Sequence, residues 1–535
     1  MSQRGAKTAF GMDETCRRYG FPGVPDFLLN GPELGLFLLA LALCFVARGS
    51  SIVSATFNVD DLWAWPGQYD FNSVGFIAFR EGRFVGPFIA GLFSLLGINP
   101  ARTFELSAIA LMVCQSAAAV LTCRIWKIGD DWRLSAAAIS LLVLHPYQAD
   151  LSTWKIAQFP GCLPFVAVLW ALSIANDNRA KWIASVVVIV LSLGIQQIPL
   201  EMASAILLFA VPIALARGKL DVWAWTMRVL ALAAGTILYV VVAKLVVAYT
   251  AHAESLGRDE IILLSDPKLV IARSKELLLL FSTHDPLTGW LTRLLLVFLS
   301  AVAIIGTVIR DQRSTKHGVL VAVSLSAAAI GAYVCAVSLT VVPSAWLPVF
   351  RNMMSVEVIW AAIAVMALAV SVGRVQLVVT VSVCFIALGF IGSNNQILSD
   401  QQRVNRRDVL MASRIAGDIG HLDNYGKIHR VFFVGTTSKT LHGIETAADL
   451  STGWHQYGTT LSAFAVPWPG YVVQLYNEVT GRNMGYQATS EEQEWAYKSC
   501  SKHDWPRPGS VFSQSDLAVV CLGAPIEVRF GPFDR

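Results

Sequence analysis

Charge is what this chain has least of. Only 15% of its 535 residues are Asp, Glu, Lys or Arg, against roughly 25% in an ordinary soluble domain. The net charge of +4 is small and no block of Lys or Arg occurs, so a nucleic-acid-binding surface is excluded. The nine cysteines show no Cys-x-x-Cys and no His/Cys ligand spacing, which argues against a structural zinc. Internal repeats and low-complexity tracts are absent as well. The start, MSQRGAKTAF, has no short apolar core followed by a small-residue cleavage site. The first apolar run, from about Leu34, is therefore expected to stay as an anchor.

What the chain does have is apolar length: 55% of it is hydrophobic. About eleven runs approach or exceed 18 apolar residues. They centre near Leu41, Met112, Leu141, Val168, Val188, Leu207, Ile237, Phe298, Ala328, Val365 and Cys384. The stretch from Phe84 to Ile98 is too short to span and reads as interfacial or re-entrant. Cations gather after every second run: Arg124, Lys127 and Arg133; Arg179 and Lys181; Arg217 and Lys219; Arg310, Arg313 and Lys316; Arg374. With Arg4, Lys7, Arg17 and Arg18 before the first, this alternation puts the N-terminus in the cytoplasm and the C-terminus outside.

The expected fold is thus a polytopic α-helical membrane protein of about eleven spans, N-in and C-out, with a small exterior α/β domain at its C-terminus. Residues 1–33 form a cytoplasmic tail. Residues 34–394 form the membrane body with an outer loop at 49–100, and residues 395–535 the exterior domain. In that domain Val431–Val434 and Ala518–Leu522 read as buried strands, and Val409, Ala412, Ala416 and Ile419 share a helical face. Lys268 to Phe281 reads as an amphipathic surface helix. Cys500 and Cys521 are the exterior domain's only cysteines and are expected to bridge where oxidation is permitted. The other seven read as small buried hydrophobes.

Polar candidates gather on the outer side. Asp60 and Asp61 follow the first span, and acids so near hydrocarbon mark a functional site by default. Either could cap a helix starting at Leu62. Two close carboxylates also suit a general base acting on an alcohol. Glu81-Gly82-Arg83 joins a backbone free to approach a ligand to a fork for a carboxylate or phosphate. Arg80 and Arg83 are alternatively lipid-phosphate anchors. His145 reads as a hydrogen-bonded core histidine or a substrate contact. Gln196 and Gln197 either satisfy backbone freed by Pro199 or contact sugar hydroxyls. Arg351, at the mouth of the tenth run, either snorkels or stabilises a phosphate leaving group. Most of the sixteen Trp fit an interfacial belt, whereas Trp468 and Trp505 either stack on sugars or pack on neighbouring prolines.

The ordered set Asn58-Val-Asp60-Asp61, Glu81-Gly82-Arg83, the Gln196-Gln197 turn and Phe350-Arg351 resembles the bacterial Gtr-type glucosyltransferases. These are the glucosyl transferase type II family, within the type-C, polyprenyl-phosphate-sugar-dependent fold. The Arg407-Asp408…Ala412…Ile415 helix and Trp505-Pro506-Arg507-Pro508-Gly509-Ser510 look similar too. Phe84 stands where the family often has proline, and Gln196 where an aromatic is usual.

The resemblance implies transfer of a hexose, commonly glucose, from undecaprenyl phosphate to a hydroxyl of a surface glycan such as lipid-linked O-antigen. It would occur in the bacterial inner membrane, on the periplasmic side, with inversion. Asp60 or Asp61 would be the base, and Arg351 with Arg83 or Lys155 would hold the donor phosphate. Glu81, His145, Gln196 and Gln197 would contact substrate. A divalent cation at the acid pair is left open. The partners implied are the donor lipid, the glycan acceptor and small membrane proteins that make and flip the donor. The rival reading is a flippase or transporter of lipid-linked glycans without transferase chemistry, which would carry its polar groups near the midplane of both halves.

Overall fold

The computed structural model describes residues 31–54, 56–58, 61–62, 70–176, 178–250, 262–263, 265–284, 287–310, 315–343, 350–436, 462–465, 469–500 and 504–523. Asp60, Trp63, Trp65 and Trp468 lie outside them. Every one of the eleven apolar runs is helical. The order begins α1 (Gly31–Arg48), α2 (Ser50–Val53), α3 (Phe71–Ala78), α4 (Gly86–Leu95), α5 (Phe104–Ile125) and α6 (Trp132–Leu144). It continues with α7 (Tyr147–Thr153), α8 (Lys155–Ile174), α9 (Arg179–Leu193), α10 (Ile198–Arg217), α11 (Val222–Thr250) and α12 (Pro267–Leu279). The bundle closes with α13 (Trp290–Arg310), α14 (Thr315–Val341), α15 (Val356–Val370) and α16 (Gly373–Gly420).

Seven of these, α1, α5, α10, α11, α13, α14 and α16, are long and apolar enough to cross a membrane. Three other runs give shorter helices: α6 has 13 residues, α9 and α15 have 15 each. At 1.5 Å per residue these measure about 20–23 Å, short of the ~30 Å hydrocarbon core. Position explains α15. It packs between α6, α10, α13 and α14, and Val358, Ala361, Ala362, Ala364, Val365 and Ala367 are wholly enclosed. A helix apolar on all sides belongs inside a bundle. The outward faces of α11, α13 and α16 expose Leu245, Val297, Phe385 and Leu388, a surface suited to lipid and not to water. Helix ends follow local chemistry. Asp131 caps α6, Asn178 caps α9 and Asp266 caps α12, each by accepting from backbone N–H groups of its first turn.

The run at Lys268 to Phe281 is helical over α12, with Val270, Arg273 and Leu277 turned inward. The Phe84 to Ile98 stretch gives the ten-residue α4. The expected boundary at residue 394 is not a break in the helix. Residue 394 falls in the interior of α16, a continuous helix of 48 residues that runs from the bundle into the C-terminal unit. Four polar residues on it share one stripe, since separations of 7, 11 and 14 return within about 40° on a helix. Asn394 Nδ2 donates to the carbonyl of Leu144, and Gln401 Nε2 to that of Phe57. Asn405 exchanges two bonds with the Phe57 backbone, and Asp408 accepts from Ser462 and Ala463.

The C-terminal unit carries α17 (Pro469–Thr480), α18 (Ser490–Cys500) and strands β1 (Arg430–Val434), β2 (Val511–Gln514) and β3 (Leu517–Cys521) in the order β1-β3-β2. β3 lies parallel to β1, Phe432 opposite Val519, and antiparallel to β2. Side-chain alternation sorts the sheet into two faces. Val431, Phe433, Ala518 and Val520 pack on α16 and α17. Phe432, Val434, Leu517 and Val519 pack on α18. A disulfide joins Cys500 at the end of α18 to Cys521 at the end of β3. Phe57 and Leu62 enter the first of these cores, so the segment beside the acid pair is built into the C-terminal unit.

Candidate functional site at the corner of helices α7 and α8

Pro146 ends the extended step after α6, and α7 begins with every residue from Tyr147 to Thr153 buried. The chain turns at Trp154 and continues as α8. That corner needs a cap, because the first amides of a helix have no partner within it. Trp154 occupies the cap position and has no acceptor to offer. Asp61 supplies one from a distant segment. Its Oδ1 accepts from Ile156 N at 2.9 Å, and its Oδ2 accepts from Asn58 N at 2.8 Å. The Asp61 N–H in turn donates to Asn58 O at 3.1 Å, so one carboxylate closes a reciprocal turn at its own helix start and caps α8. A negative group is also favoured at the positive end of the α8 dipole. Asp61 is 1% exposed. Burial pushes its carboxyl up to about 7, opposed by the amide bonds and by the nearby Lys155 charge.

Lys155 is the first residue of α8 and is 1% exposed. Arg351 lies in the 3-10 turn Phe350–Met353 just before α15. Its backbone N donates to Asp150 Oδ2 at 2.9 Å, and its Nη1 lies 3.5 Å from the same oxygen. The guanidinium carbon sits 4.2 Å from the Trp154 ring centroid, within cation–π range. Asp150 is fully enclosed, while the Arg351 side chain keeps 16% of its exposure. Three separate parts of the chain therefore meet at one corner: Asn58 with Asp61, Asp150–Ile156 and Phe350–Met353.

Glu81, Gly82, Arg83, Gln196 and Gln197 make a second cluster. Arg83 Nη1 pairs with Glu81 Oε2 at 3.1 Å, and Arg83 Nε reaches Gln197 Oε1 at 3.5 Å. Gln197 Nε2 donates to Glu81 O and to Tyr239 Oη, at 3.0 and 2.7 Å. Gly82 has φ +71, and a Cβ there would meet Ala243 and Tyr239 at 3.1 and 3.2 Å. The glycine is required by the close approach of α11 as much as by its dihedral. Gln196 is buried at 6%. These residues lock two turns together, with Glu81 and Gln197 facing one another; Arg83 keeps about a third of its side chain exposed. Arg80 has no described side chain.

His145 has the surroundings of the core histidine that was one of its two readings. It is wholly buried, with Tyr147, Phe390 and Trp360 rings 4.6, 4.9 and 6.0 Å away. Its Nδ1 accepts from Tyr147 N, so it is an interior histidine that caps α7. Trp505 donates from Nε1 to Asp418 and packs against the C-terminal core. Among the described residues no three of His, Cys, Asp or Glu are grouped to hold a metal ion, and Asp60 is not among those residues.

Sequence reasoning passed over a set of enclosed polar residues directly behind the corner. Arg48 Nη2 donates to Gln115 Oε1 at 2.6 Å, and Arg48 Nη1 to Asn394 Oδ1 at 3.2 Å. Gln115 Nε2 donates to Gln148 Oε1, and Gln148 Nε2 donates to Glu357 Oε2 at 2.6 Å. A guanidinium can only donate and a carboxylate accepts, so the two ends fix the orientation of both amides. The result is a polar relay from a guanidinium to a carboxyl group through two glutamines across α1, α5, α7 and α15. The available signal was chemical: Arg48, Gln115 and Glu357 are polar side chains within or at the ends of apolar runs, where they are costly. Comparison with protein-family models, curated proteins and solved structures found no match for the chain.

Proposed function

We propose that this protein is a membrane hexosyltransferase that uses a polyprenyl-phosphate sugar as donor. The observation that carries the reading is the convergence of Asp61, Lys155, Trp154 and Arg351 on the α7–α8 corner, which puts an acid-bearing segment beside two cations. Asp61 has both oxygens engaged by backbone amides, as a helix cap has, so we assign the base to the other acid of the pair, Asp60, which lies outside the described residues. In the reaction an acceptor hydroxyl oxygen bonds to the anomeric carbon as the bond from that carbon to the phosphate oxygen breaks. The hydroxyl proton passes to Asp60. The phosphate departs with the bonding electrons, its charge held by Arg351 and Lys155. Direct displacement inverts the anomeric centre.

The finer topology belongs to the same proposal: eleven spans, N-terminus inside, C-terminus outside, in a bacterial inner membrane with the corner facing the periplasm. The cationic loops support it. Glucose as the sugar, a surface glycan as the acceptor and small donor-supplying partners rest on the Gtr resemblance. One observation favours the rival reading. The Arg48–Gln115–Gln148–Glu357 relay is a polar set within the helical bundle, as a lipid-linked glycan transporter would carry.

The test is purified protein with defined polyprenyl-phosphate hexoses and glycan acceptors, read by product mass. A hexose added to the acceptor, lost in Asp60→Asn, supports the transferase. Movement of donor lipid across vesicles with no hexose transfer overturns it in favour of transport.

A further inference from the structure

We infer that Asp150 is a positioning residue for the Arg351 cation, and that the Arg48–Gln115–Gln148–Glu357 relay holds the helix that carries it. The inference deepens the proposed function, since it assigns how the donor-phosphate cation is aimed. Arg351 stands on a 3-10 turn, a short element with poor hydrogen-bond geometry of its own. Asp150 grips it twice, through the backbone N–H at 2.9 Å and the guanidinium at 3.5 Å. One carboxylate oxygen thus fixes both the turn and the direction of the side chain. Among the described residues the guanidinium's polar contact is made by Nη1, and Trp154 covers one face of the plane. The other edge of the fork remains for an anion, which Arg binds in planar, two-point fashion.

A clamp must itself be fixed. α7 is only seven residues long, too short to hold itself by helix propensity. Gln148, two residues before Asp150 and so on the opposite side of the helix, is tied to Gln115 and Glu357. Phe350 and Tyr147 pack ring to ring at 4.8 Å. The relay thus anchors one side of α7 in the bundle while Asp150 works from the other. The guanidinium and carboxyl ends of the relay orient the amides between them, and linked hydrogen bonds polarise one another.

The experiment uses the full chain in lipid nanodiscs, with Asp150→Ala, Asp150→Asn, Arg351→Ala and the double variant Asp150→Ala/Arg351→Ala. Asp150→Ala is expected to lower kcat/KM for the donor about ten- to a hundredfold, the scale of a misplacement near 1 Å. Asp150→Asn keeps an acceptor for the Arg351 amide and should recover part of it. The double variant should be no worse than Arg351→Ala alone, because residues acting through one another are not additive. Additive losses would make Asp150 merely structural and overturn the inference. A second measurement is independent of activity: hydrogen exchange of the peptide spanning residues 350–353. Protection there should fall in Asp150→Ala and return in Asp150→Asn, and unchanged protection overturns the inference. Should the wild type transfer no hexose and bind no phosphate lipid, the proposed function fails while the exchange result still decides the role of Asp150. For the relay, removing both charges together in Arg48→Met/Glu357→Gln avoids leaving an orphaned buried charge. It should speed exchange across residues 147–153, and wild-type exchange there would remove the relay from the argument.

Discussion

The carboxylate of Asp61 caps Ile156 at 2.9 Å across 95 positions of sequence. It is a helix cap supplied in trans by the chain's own first loop. Its worth is testable without any substrate. Asp61→Asn keeps an acceptor for only one of the two amides, Ile156 and Asn58, and should cost less than full removal of the side chain. Asp61→Ala leaves the Ile156 and Asn58 amides without their acceptor and should lower stability by about 1–3 kcal/mol. Thermal unfolding in detergent reads the difference, and equal melting of the two variants would remove the cap from the account.

Asp60 carries the proposed base. Asp60→Asn should leave folding and donor binding as in the wild type while turnover falls by about two to four orders of magnitude, the usual worth of a general base. Retained turnover with normal donor binding would falsify the assignment of the base.

Arg351→Ala should lose most transfer activity with expression unchanged. Arg351→Lys should recover only part, because an ammonium lacks the planar fork and stacks less well on Trp154. Were lysine fully active, the fork would be irrelevant and a point charge sufficient.

The C-terminal unit should be sensitive to acid. Arg430 bonds Glu492 at 2.9 and 2.7 Å and Asp516 at 2.9 and 2.7 Å. The guanidinium holds Glu492 down at about 2 and lowers Asp516 as well. Because these folded-state values lie below the unfolded ones, their stabilisation is complete above the ordinary carboxylate range and is lost as pH falls towards 2. Arg430→Met should flatten that acid limb and lower stability at neutral pH by about 1–2 kcal/mol, discounted for partial exposure. Circular dichroism melts at pH 7 and pH 3 give both quantities.

Reducing the Cys500–Cys521 bridge should destabilise the same unit. Its separation of 21 residues corresponds to roughly 3 kcal/mol on the chain-entropy model. Cys500→Ser/Cys521→Ser should therefore unfold at lower denaturant while leaving the helical bundle unchanged.

Much of this architecture was open to sequence reasoning because it rests on local periodicity and length. All eleven apolar runs are helices; β1 starts one residue before the expected Val431–Val434, and β3 lies one residue earlier at both ends than the expected Ala518–Leu522. β2 was missed because Val511-Phe-Ser-Gln is short and half polar. Residue 394 lies inside a continuous helix for a clear reason. Gly392-Ser-Asn-Asn breaks the hydropathy but not the helix, since Asn394 spends its amide on the Leu144 and Phe390 carbonyls. Around the site, Asp61, Lys155 and Arg351 were visible as polar residues beside apolar runs. Their grouping at one corner was not, nor was the cap, whose partner is remote in sequence. Gln115 and Gln148 each look like isolated polar residues, and only the folded chain joins them into a relay.

The continuity of α16 turns residue count into geometry. Forty-eight residues extend about 72 Å at 1.5 Å each, and a bilayer core takes up about 30 Å of that. The hydrogen-bonding stripe Asn394, Gln401, Asn405 and Asp408 is a set of index marks on the remaining shaft. Adding one residue between Asn394 and Gln401 would raise everything beyond it by about 1.5 Å and rotate it by about 100°. Gln401, Asn405 and Asp408 would then all swing away from Phe57 and Ala463 at once. The azimuth of the C-terminal unit above the α7–α8 corner is set by the phase of this single helix.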